Sequence, residues 1–126
     1  MKRILYTALL VAMFATMACA EQQGSEPIIR QALASGKPTL VDFGAGYCIP
    51  CKEMKPILDS LKKEYRGRAN VIFVDIKDEK DMPRKYRIQL IPTQVFYDAK
   101  GKEVKCHMGF MDKASIVPVL QSLGVK

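Results

Sequence analysis

Two cysteines three residues apart, Cys48 and Cys51, follow the apolar run "TLVDFG" (39–44) almost directly, with Pro50 between them. The spacing confines the local fold to a strand that ends where a helix begins. The run is β-branched and apolar except for Asp42, the pattern of a buried strand carrying one acid. From Cys48 to about Arg66 the period changes to a helical one. Met54, Ile57, Leu58 and Leu61 fall on one face, and Lys52, Lys55, Asp59 and Lys62 on the other. Pro56 interrupts that helix and predicts a kink.

Around this junction the other elements fall into order. "SEPIIRQALASGKP" reads as a short amphipathic helix, with Ser25 as its cap, Pro27 early, and Gly36 and Pro38 as its stop. "NVIFVDI" (70–76) reads as a second buried strand, and "DEKDMPRKYR" as a short polar helical connection. "TQVFYD" (93–98) and "EVKCHMG" (103–109) read as strands joined by a turn at "DAKG". "DKASIVPVLQSLG" closes the chain as a helix capped by Asp112 and ended by Gly124, with a bend expected at Pro118. A βαβ unit followed by a ββα unit implies an α/β domain with a mixed four- to five-stranded sheet and helices on both faces.

The first twenty residues have a different character. "MKRILYTALLVAMFATMACA" opens with Lys2 and Arg3 and then runs apolar and uncharged from Ile4 to Ala18, the pattern of an export signal. Ala18-Cys19-Ala20 fits cleavage before Glu21, while Cys19 itself resembles a lipoprotein acceptor. A retained anchor is the third reading, disfavoured because a membrane span wants about 20 apolar residues. Residues 1–20 are therefore expected to be a cleaved or lipoprotein-type signal, and residues 21–126 one domain. The protein is then periplasmic or on the outer face of a membrane, touching that membrane only through a lipid at Cys19.

The formal charge of +7 falls to +5 without Lys2 and Arg3, and acids are interleaved with the remaining bases. No basic stripe alternates with aromatics, which argues against nucleic-acid binding. Cys48, Cys51 and Cys106 remain beyond residue 20. An odd count in an exported chain suits one pair plus a leftover better than a disulfide framework.

Three readings of Cys48 and Cys51 compete. A zinc site needs four ligands, and the other candidates, Cys106 and His107, are neighbours on a strand and point to opposite faces. A structural disulfide across three residues closes too small a loop to restrain much unfolded chain. A redox couple uses what is present: at a helix N-terminus, unpaired N–H groups favour a thiolate at Cys48. Cys51, one turn further in and more shielded, would resolve the mixed disulfide. No metal or organic cofactor is then required.

"VDFGAGYCIPCKEMKPIL" resembles the active-site segment of thioredoxins, and "RIQLIPTQVFYDAKGKEV" resembles their cis-proline region and following hairpin. "GKPTLVDF" with "GFMDKASI" is also similar to the C-terminal domain of the transmembrane reductase DsbD. The likeness spans roughly residues 26 to 124 and implies the thioredoxin fold. It implies a cis Pro92 lying against the cysteine pair and an Ile91 backbone free to pair with an extended substrate. It also implies that Asp42 moves the proton of the resolving cysteine, and that Gly109 lets a partner approach. A lone acid in an apolar strand should titrate high.

The chain departs from the family pattern at several positions. Tyr47 replaces the tryptophan before the first cysteine, Gly44 the aromatic at the strand end, and Phe73 the lysine that often neighbours the aspartate. Tyr47, Ile49 and Pro50 are expected to form the substrate rim, with Ile49 adding an apolar bump. Cys106 is expected to be a buried small hydrophobe, with a regulatory partner thiol as the alternative, His107 a surface strand residue, and Met54, Met108 and Met111 core or rim packing.

The expected activity is reduction of disulfides in exported partner proteins, since proline before the second cysteine is the reductant's pattern. Such a reductase needs a membrane-bound electron donor. Partner classes are apocytochrome haem-site cysteines, other exported thiol enzymes and peroxidase partners. The alternatives are a thiol oxidase or isomerase, and a non-enzymatic metal-binding or scaffold module.

Overall fold

The computed structural model describes residues 24–126. The expectations for residues 1–20, a signal and a lipid site at Cys19, lie outside the described residues. Four helices and four strands follow in the expected order. They are α1 (Ser25–Leu33), β1 (Thr39–Gly44), α2 (Ile49–Glu64), β2 (Asn70–Asp75), α3 (Met82–Lys85), β3 (Thr93–Tyr97), β4 (Glu103–Met108) and α4 (Lys113–Ser122). None of the described helices is long and apolar enough to cross a membrane.

The sheet has four strands in the order β2-β1-β3-β4. β1 runs parallel to β2 and antiparallel to β3, and β3 pairs antiparallel with β4, so the sheet is mixed. Alternation along each strand sorts side chains between two cores. Leu40, Val71 and Phe96 face α2 and α4, where they meet Met54, Leu58, Leu61, Ile116 and Leu120. Val41, Phe43, Val74 and Val95 face the other way, toward Ile29 of α1 and Met82 of α3. Each such fully buried side chain contributes about 1.5–3 kcal/mol. β1 and β3 are buried along their whole lengths because both their faces are covered.

Three local expectations need revision or detail. Ser25 does not cap α1; Gly24 holds that position, and Ser25 instead donates its backbone N–H and its hydroxyl to the Glu79 carboxylate. That partner lies 54 residues away and outbids a local cap. Asp112 does cap α4, accepting from the Ser115 N–H at 2.8 Å. Cys106 is exposed, not buried. It sits on β4, the edge strand of the sheet, whose side chains are exposed or half-exposed.

Candidate active site

The cysteines lie where β1 hands over to α2. Cys48 is the N-cap of α2, with an extended backbone at φ −84° and ψ 120°. Its own N–H donates to the Ala45 carbonyl at 3.1 Å. The first turn of a helix leaves N–H groups without intrahelical partners. Pro50, in that turn, has no N–H to leave, and Cys51 aims its N–H at Cys48 Sγ at 3.3 Å. A sulfur thus fills the capping place usually taken by a side-chain oxygen. Cys48 and Cys51 are joined as a disulfide with Cα atoms 5.2 Å apart. Cys51 is buried and Cys48 partly exposed. The preceding loop is tied down by Asp75 at the end of β2, which accepts from Gly46 at 3.2 Å and from Lys77 at 2.9 Å.

Across from the disulfide, the Ile91–Pro92 peptide bond is cis. Cys48 Sγ lies 4.0 Å from the Ile91 carbonyl oxygen. The Pro92 carbonyl accepts from the Gly109 N–H at 2.7 Å, which fixes the end of β4 against this loop. Gly109 has φ +100°, a backbone conformation that side chains resist, while a Cβ there would meet nothing within 4 Å. The glycine is therefore needed for its conformation. Tyr47 at 67% and Ile49 at 69% exposure flank Cys48 in the chain, and Leu90 and Phe110, near Ile91 and Gly109 in sequence, are also exposed. Pro50 is half-buried.

Asp42 is wholly buried on β1, on the face toward α2. Burial raises its carboxyl to about 6, and the Gln94 amide, donating to Oδ1 at 2.7 Å, pulls against that rise. Phe73 stands opposite Asp42 in the β1–β2 ladder. A Cβ built on Gly44 would come within 2.9 Å of the Phe73 ring and 3.2 Å of both Cys51 Cβ and Sγ. The two departures from the family pattern are therefore one feature: Phe73 occupies space that a side chain at position 44 would need.

Among the described residues, no three His, Cys, Asp or Glu side chains gather into a metal site. Cys106 and His107 occupy opposite faces of β4, paired with Val95 and Gln94. His107 is half-buried, with Nε2 3.2 Å from the Phe110 carbonyl oxygen. Met54 and Met111 are core residues, and Met108 lies exposed on the rim. Gln94 and Asp75 escaped the sequence reading. Gln94 could have been noticed as an amide inside an otherwise buried strand, on the face that carries Asp42.

Comparison with known proteins agrees with this geometry. The thioredoxin family model matches residues 16–122. A thioredoxin of Rickettsia felis is 36% identical over 89 residues, covering 70% of this chain and 83% of that one. A thioredoxin of Acidithiobacillus ferridurans is 39% identical over 90 residues, covering 71% and 82%. A bifunctional thioredoxin reductase/thioredoxin of Mycobacterium leprae is 35% identical over 85 residues, which span 68% of this chain and 18% of that longer protein. The crystal structure of chloroplastic thioredoxin z superposes with a TM-score of 0.71 at 25% identity, covering 82% of this chain and 93% of that one. The chain belongs to the thioredoxin family, a protein-disulfide reductase whose redox-active pair is Cys48 and Cys51.

Proposed function

We propose that the protein is an exported reductase of partner-protein disulfides in which Cys48 attacks and Cys51 resolves. The observation that carries this assignment is the capping of α2 by Cys48 Sγ, which accepts the Cys51 N–H. A donor and a helix N-terminus aimed at one sulfur favour its thiolate once the pair is reduced. That thiolate attacks a substrate disulfide, and one substrate sulfur leaves while the other is held on Cys48. An extended substrate segment lies along Ile91, adding backbone hydrogen bonds. Tyr47, Ile49 and Pro50 supply the apolar contact around it, and Gly109 keeps the approach open. Cys51 then gives up its proton, with Asp42 as acceptor, and displaces the substrate thiol.

The N-terminal pattern supports export to the periplasm or to the outer face of a membrane, by cleavage before Glu21 or with a lipid at Cys19. A reductase in an oxidising compartment needs continual re-reduction, which calls for a membrane-bound electron donor. The partners are exported proteins with accessible disulfides.

A Cys51→Ser variant expressed in the native compartment tests this reading. It should accumulate mixed disulfides through Cys48, and their partners should be exported proteins. Absence of covalent partners, or partners that are all cytosolic, contradicts it. Direction is tested by equilibrating the pair with glutathione: a potential near roughly −270 mV fits a reductant, and one near about −120 mV an oxidase.

A further inference from the structure

Gln94 of β3 stands directly opposite Asp42 of β1, and both side chains are wholly buried. An amide buried in this way costs free energy unless its polar atoms find partners. One does: Nε2 donates to Asp42 Oδ1 at 2.7 Å. Gln94 Oε1 and Asp42 Oδ2 have none. Two buried acceptors without a donor gain when a proton arrives. The disulfide brings no proton, because neither sulfur carries an S–H. Reduction gives Cys51 one. Cys51 packs over Gly44, the next β1 residue on the Asp42 face, about 6.6 Å along the strand.

We propose that Gln94 is a positioning residue for the proton step at Cys51, tethering Asp42 by Oδ1 so that Oδ2 is the oxygen that exchanges the proton. This rests on the roles given above to Asp42 and Cys51. In the resolving step the Cys51 thiol proton passes to Asp42 Oδ2, and the Cys51 sulfur attacks Cys48 Sγ. The Cys48–Cys51 bond forms as the Cys48–substrate bond breaks. The electron pair leaves on the substrate sulfur, which takes a proton from solvent. Over the cycle the substrate disulfide gains two electrons and the Cys48–Cys51 dithiol loses them.

The surroundings leave Gln94 as the one polar hold on Asp42 among the described residues. Phe73 faces it from β2 without charge. Besides Cys51, the buried faces of α2 and α4 carry only apolar side chains, Met54, Leu58, Leu61, Ile116 and Leu120. His107 lies one strand further out, opposite Gln94.

The test is a titration of the Asp42 carboxyl in the purified disulfide form, followed by carbon NMR. The wild-type midpoint should fall near the value of about 6 set by burial. Gln94→Leu and Gln94→Met each remove the donor, and should raise the midpoint by about one pH unit, a roughly ten-fold weaker acid. Resolution near neutral pH should slow with it and recover at higher pH. Attack by Cys48, timed in a Cys51→Ser background, should be unchanged.

In the wild type, where no substitution can disturb folding, the Gln94 side-chain NH₂ signal should titrate with the Asp42 midpoint. A midpoint unmoved or lowered in the folded variants overturns the proposal, as does a Gln94 signal indifferent to pH. Resolution at the wild-type rate in Asp42→Asn overturns the proton role of Asp42 as well. A slowed Asp42→Asn beside a midpoint that ignores Gln94 overturns only the role of Gln94.

Discussion

At the scale of single residues, the burial of Asp42 has a cost in stability that depends on pH. Its carboxyl titrates at about 6 in the fold against an ordinary 3.8. The folded state therefore holds that proton more tightly than the unfolded chain. The favourable contribution is complete below the unfolded value and is lost as pH rises through about 6. Asp42→Asn keeps an oxygen for the Gln94 donor and removes the buried charge. Urea unfolding should find it more stable than wild type by up to about 3 kcal/mol at pH 8, with the gap closing toward pH 4. A gap that does not change with pH contradicts the burial argument. Gly44 makes a second test. Gly44→Ala puts a methyl 2.9 Å from the Phe73 ring and 3.2 Å from Cys51, and should cost about 1–3 kcal/mol of stability. Adding Phe73→Ala should return part of that loss in a double-mutant cycle, because the ring is half-exposed and gives up little when removed. Strict additivity would separate the two sites.

At the scale of elements, the helix cap and the edge strand make contrasting cases. Under reducing conditions Cys48→Ser retains a capping atom for the Cys51 N–H, while Cys48→Ala does not. Unfolding should find the alanine variant less stable by about 1 kcal/mol. Equal stabilities would mean that the sulfur does not cap α2. β4 is the opposite: its side chains are exposed or half-exposed, and Cys106 packs against little. Cys106→Ser should change stability by no more than about 0.5 kcal/mol. Although Cys106 is exposed, partial desolvation together with the Glu103 carboxylate holds its thiol above the ordinary value, so it should alkylate more slowly than Cys48. The strand at 103–109 was legible from its alternation and turn residues, but its place at the sheet edge was not. Burial of Cys106 depended on a neighbour that periodicity does not reveal. The Ser25 cap failed for the same reason, since Glu79 comes from a distant loop.

At the scale of the whole molecule, helix and strand order was readable because each buried run is bounded by glycine, proline or a capping acid. The β1–β2 and β3–β4 neighbours follow from the βαβ unit and the hairpin, while the pairing of β1 with β3 that leaves β4 at the edge is a tertiary choice. The site was legible where chain neighbours build it, as with Cys48 and Cys51. It was less so where separate strands meet, as with Asp42 and Gln94 or Gly44 and Phe73. The fold brings the end of β1, the start of α2 and the loop before β3 to one surface, where a helix end faces a sulfur 4.0 Å from the Ile91 carbonyl. The most direct test of that arrangement is the pH dependence of alkylation in the fully reduced protein, resolved by mass spectrometry for each cysteine. Cys48 should react first, with a midpoint below that of an ordinary free thiol, and Cys51 and Cys106 only at more alkaline pH. An ordinary alkaline midpoint for Cys48, or faster reaction at Cys51, would contradict the assignment of Cys48 as the attacking sulfur.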